Sequence, residues 1–60
     1  MTAYRAYLLD DDDVVLRVKV FESRSDAEAV QVAATWAAGR RYELWRGSRR
    51  INRGEAARSA

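Results

Sequence analysis

Four consecutive aspartates, Asp10 to Asp13, form the densest run of potential metal ligands in this sequence. Carboxylate oxygens can hold Ca²⁺ or Mg²⁺, but a calcium loop spaces its ligands around a Gly at the sharp turn and adds a carboxylate downstream. Adjacent carboxylates point in different directions, so the run reads as a solvated, mutually repelling turn and no metal is expected. The chain has no His and no Cys, which removes the commonest zinc ligands, the usual general base and any disulfide. The remaining nucleophiles are the hydroxyls of Thr2, Ser23, Ser25, Thr35, Ser48 and Ser59, none with a His to activate it. Ser25, three residues before Glu28, is better explained as a helix cap. A chain of 60 residues offers little room for a pocket that would shift a carboxylate into acid–base work. No catalytic residue, cofactor or enzymatic activity is therefore expected.

Charge is divided unevenly along the chain. Residues 1–30 carry four basic and seven acidic side chains, and residues 31–60 carry seven and two, giving −3 and +5. The basic half holds Arg40, Arg41, Arg46, Arg49, Arg50 and Arg53, with Tyr42 and Trp45 between them. Arginine with interleaved aromatics is the material of phosphate contact and base stacking, and Arg46, Arg49, Arg50 and Arg53 are the candidate nucleic-acid contacts. Against that reading, the net charge is only +2 and the aspartate run would repel a polyanion. Ten of the eleven basic residues are Arg, a composition that suggests a GC-rich bacterial genome.

These residues must be positioned by a short series of elements. Tyr4 to Leu9 is aromatic and aliphatic and ends at the aspartates, the pattern of a strand and a turn. Val14 to Phe21 alternates around Arg17 and Lys19, placing Val14, Leu16, Val18 and Val20 on one face and Val15, Arg17, Lys19 and Phe21 on the other. The short connection predicts a β-hairpin. A helix is predicted over 26–38, opened by Ser25 with Asp26 and Glu28 in its first turn and closed by Gly39. Ala27, Ala29, Val30, Ala33, Ala34, Trp36 and Ala37 form its apolar side, with Trp36 expected in the core. Arg41 to Trp45 alternates as a third strand, Arg46-Gly47-Ser48 turns the chain, and residues 49–52 can return as a fourth.

The predicted order is β-β-α-β with a closing β, a two-layer α+β domain in which one helix packs on a small antiparallel-type sheet. The domain is expected over 1–53, with 54–60 as a frayed tail. Met1 to Arg5 leads directly into a strand-like run, with neither the apolar core of a signal peptide nor a membrane-length stretch, so the expected location is the cytoplasm.

The segments Tyr4-Arg5-Ala6-Tyr7-Leu8-Leu9-Asp10, Asp26-Ala27-Glu28-Ala29 and Glu43-Leu44-Trp45-Arg46-Gly47-Ser48-Arg49-Arg50-Ile51 together resemble a group of short uncharacterised alphaproteobacterial proteins. The resemblance spans most of the chain and implies a compact fold of this order. It implies no activity. In that group the first turn usually contains a Gly among acidic residues, where this chain has only Asp.

One helix covers one face of a sheet, and the strand parity above leaves Tyr7, Leu9, Val15, Phe21 and Trp45 together on the other. Such a face is too apolar for water, and a domain this small is short of core. The expected role is thus a non-catalytic oligomerising or protein-interaction module, a homodimer that buries its open face or pairs a free strand edge. A small nucleic-acid-binding or regulatory protein using the Arg-rich hairpin is the second reading, and an enzyme accessory subunit the third. No membrane partner is expected.

Overall fold

The computed structural model describes residues 1–55. Strand β1 runs over Thr2–Leu9 and β2 over Val15–Ser23, helix α1 over Asp26–Ala37, β3 over Tyr42–Arg46 and β4 over Arg49–Gly54. All four strands belong to one sheet of order β2-β1-β3-β4, with every neighbouring pair antiparallel. The two-layer α+β arrangement is present, and the fourth strand completes it. Gly54 lies within β4, while residues 56–60 of the expected tail lie outside the described residues. No helix among the described residues is long and apolar enough to cross a membrane.

Even-numbered residues of β1 face the helix. Tyr4, Ala6 and Leu8 meet Tyr42 and Leu44 from β3 and the helical stripe Ala29, Ala33 and Ala37 in one buried cluster. Three alanines spaced by four residues lie on one line of the helix, and their short side chains let it sit close to the sheet. The apolar side of the helix is narrower than its composition predicts, because Ala27 and Ala34 are exposed. Trp36 is not fully in the core either. It packs half-buried at the margin, beside Lys19 of β2.

Both ends of the helix are set by local chemistry. Ser25 is extended and its Oγ accepts the Glu28 N–H at 3.1 Å, as expected of an N-cap. At the other end the left-handed position falls on Ala38, with φ 54°, one residue before Gly39. Its N–H reaches the carbonyls of Ala34 and Thr35 at 3.1 and 3.2 Å.

The largest departure from the periodicity reading is in β2. Leu8 pairs with Arg17 and Leu9 with Val15, so Leu16 is an extra residue that bulges the strand. Beyond the bulge the parity is opposite to the one predicted. Arg17, Lys19 and Phe21 lie opposite Leu8, Ala6 and Tyr4 on the helix side, and Val18 and Val20 lie opposite Tyr7 and Arg5 on the open side. Phe21 stacks on Tyr4 with ring centroids 5.7 Å apart, which extends the core to the sheet margin. Because β2 is an edge strand, Arg17 and Lys19 can point toward the helix layer and still place their charged ends in solvent.

The first turn is more ordered than a repelling loop. Asp13 N–H donates to the Asp10 carbonyl at 3.1 Å, Asp13 takes φ 62°, and Asp10 N–H donates to the Val14 carbonyl at 3.0 Å. This is a three-residue hairpin with its left-handed residue at Asp13, the position where Gly would be easiest. Asp10 Oδ1 accepts the N–H groups of Asp12 and Val14 at 2.8 and 2.9 Å. Arg41, arriving from the start of β3, then grips the turn through Asp13 Oδ1 at 2.6 Å and the Asp11 carbonyl at 3.3 Å. One guanidinium thus offsets part of the aspartate repulsion.

Candidate functional site

The sheet face away from the helix is built from alternate residues of all four strands. Arg5, Tyr7 and Leu9 come from β1, and the pairing places Trp45 beside Arg5 and Glu43 beside Tyr7. On the other flank Val15, Val18 and Val20 pair with Leu9, Tyr7 and Arg5. Val18 and Val20 are 52% and 66% exposed, whereas Leu9, across from Val15 and nearer the first turn, is only 6% exposed and forms a floor there. A shallow groove of ≈ 440 Å³ runs over this floor, walled by Tyr7, Val15 and Trp45 and bounded by Asp13 and Glu43. Tyr7, Leu9, Val15 and Trp45 are therefore brought together as expected from their alternation. Phe21 is not among them, since the bulge turns it to the helix side against Tyr4. Val18 and Val20 take its place.

The groove's large aromatic is held in position. Trp45 Nε1 donates to Glu43 Oε1 at 3.0 Å, and Glu43 Oε2 lies 3.6 Å from Arg50 Nη1. The indole N–H is satisfied within the chain, so the ring can meet an apolar partner without a lost hydrogen bond. Chemically the site offers an indole, a phenol, aliphatic branches and two carboxylates each engaged by an arginine. That is recognition chemistry, and among the described residues no hydroxyl of Ser or Thr lines the groove. Among the described residues, no cluster of acidic side chains is placed to hold a metal ion.

The candidate nucleic-acid arginines are divided by the sheet. Arg46 turns to the helix side, where Nη1 meets Asp26 Oδ1 at 3.0 Å, and Arg49 pairs directly across from it. Arg50 and Arg53 belong to the open side, opposite Trp45 and Glu43. Arg50 is paired with Glu43, and Arg53 Nε with Glu55 at 3.3 Å. The bulge at Ile51, which packs against the core, separates the two pairs.

Away from the groove, Asp26 also accepts the Tyr4 hydroxyl at 2.6 Å, linking β1, the helix and Arg46. That hydrogen bond, together with burial and the nearby carboxylate charge, pushes the Tyr4 hydroxyl above the ordinary phenol range, while Arg46 opposes it. No family model, curated protein or solved structure matches this chain.

Proposed function

We propose that the protein is a non-catalytic interaction module that forms a homodimer by burying its open sheet face against a second copy. The observation that carries the reading is the joint presence of Trp45, Tyr7, Val15, Val18 and Val20 on a face that no element among the described residues covers. A standard interface of about 800 Å² per partner would use roughly a fifth of the chain's 4387 Å² of surface. Aromatic anchors over a buried aliphatic floor, with charged groups at the rim, match the anatomy of such interfaces.

Pairing through the free edge of β2 is the less favoured geometry. Lys19 and Arg17 point toward the helix layer from that edge and Leu16 bulges it, two devices that discourage addition of another strand. Nucleic-acid binding is weaker still as a reading, because the arginines it needs are split between two faces and three of the four are held by carboxylates. The compartment proposed for the module is the bacterial cytoplasm.

Fluorescence tests the face directly. In a Trp36→Phe background Trp45 is the sole indole, and dilution through the dimer dissociation constant should shift its emission to the red. Emission that stays constant and red-shifted over a hundredfold range of concentration would contradict burial of this face.

A further inference from the structure

Arg41 holds two residues of the groove at once. Its backbone carbonyl accepts the N–H of Leu9, the groove floor, at 3.0 Å, and its Nη2 lies 2.6 Å from Oδ1 of Asp13, which bounds the groove. Its Nη1 donates to the carbonyls of Asp11 and Asp10 at 3.3 and 3.5 Å. The register of β1 with β3 ends at Leu8 and Tyr42, so the Leu9–Arg41 bond is the next tie beyond it, at the point where the sheet gives way to the first turn.

The remaining guanidinium nitrogen depends on a residue outside the groove. Arg41 Nε is buried and donates no hydrogen bond among the described residues, and the carboxylate paired with it is that of Glu55, with Oε2 at 3.4 Å. Glu55 Oε1 is in turn 3.3 Å from Arg53 Nε in β4. Asp13, Arg41, Glu55 and Arg53 thus alternate in charge from the first turn to the end of β4. Ion pairs between exposed side chains contribute little singly, and the Asp13 and Glu55 side chains are exposed. The Arg41 side chain is only 16% exposed, so it has given up most of its hydration. Removing a carboxylate from a cation in that position leaves a mostly buried charge short of compensation.

We propose that Arg41 is a positioning residue for the groove and that Glu55 controls the first turn through it. With Glu55 in place the buried side of the guanidinium is balanced and its fork stays on the turn. Without Glu55 the guanidinium moves toward solvent, which releases Asp13 and loosens Leu9. This control belongs to the single chain and holds whether or not the open face closes on a second copy. By linkage, anything that binds the ordered groove also strengthens the Arg41–Glu55 pair.

Amide hydrogen exchange followed by NMR tests it, with each variant compared with the native chain at one protein concentration and low ionic strength. The Leu9 N–H, bonded to Arg41, and the Asp10 N–H, bonded to the Val14 carbonyl, report the junction, while Ala33 and Ala37 report the helix. Glu55→Gln should speed exchange at Leu9 and Asp10 about tenfold or more and leave the helix rates as they are. Arg41→Lys, which keeps the charge and loses the fork, should do the same. In the Arg41→Lys background, Glu55→Gln should then add little, because both act through one guanidinium. Unchanged rates at Leu9 and Asp10 in Glu55→Gln would overturn the proposal. So would equal acceleration at the junction and the helix, which marks a loss of overall stability, or effects of the two substitutions that simply multiply.

Discussion

Ala38 holds a left-handed backbone at φ 54° at the end of the helix, where a Cβ is a steric cost that Gly avoids. Its side chain is exposed, so nothing packed is lost on removing it. Ala38→Gly should therefore stabilise the domain by roughly 0.5–1 kcal/mol, and a urea melt with a lower midpoint than the native chain would refute the geometry. Tyr4 supplies a second test at this scale. Its folded hydroxyl ionises at higher pH than an ordinary phenol, with the hydrogen bond to Asp26 as the first cause. Above a pH of about 10 the unfolded chain releases this proton while the folded chain keeps it. The contribution is complete below that point and declines as pH rises through the folded value. Urea melts from pH 8 to 11 should show a steeper alkaline loss for the native chain than for Tyr4→Phe, and equal slopes would dismiss the linkage.

Gly54 shows what the elements require of single positions. It pairs with Tyr42 across β3 and β4, and a Cβ there would come 1.8 Å from Tyr42 Cε1. Gly54→Ala should drive the Tyr42 ring out of its buried site and cost about 1–3 kcal/mol, and an unchanged thermal midpoint would show that the strand ends before it. This position was not legible as part of a strand, because a Gly beside a polar stretch carries no periodic signal. The helix and the third strand were legible to within a residue or so, since Ser25, Gly39 and the Tyr42–Leu44 alternation are local signals. The face assignment of β2 was not. Alternation defines two faces but not which one is inward, and the bulge at Leu16 depends on pairing with β1. The valine-rich side looked like core, while the side that carries Phe21 met the helix layer through contact with Tyr4. The grip of Arg41 on the aspartate turn was hidden for a related reason, since it joins positions about thirty residues apart.

At the scale of the molecule, one helix and a thin alanine-lined layer are what the described residues place over the four-stranded sheet, and they cover one of its faces. Four of the candidate face residues, Tyr7, Leu9, Val15 and Trp45, could be found from alternation because β1 and β3 are regular and the bulge restores Val15 to their side. The exposed Val18 and Val20 strengthen that face rather than the core. If the face closes against a second copy, stability and association are linked by mass action, and dilution weakens the fold. Sedimentation equilibrium of the native chain and of Trp45→Glu, across a hundredfold range of concentration, tests this most directly. The account predicts a native mass that rises from one chain to two with concentration, and a variant that stays at one chain or unfolds. A native chain that sediments as a folded monomer at every concentration, indistinguishable from Trp45→Glu, would contradict it.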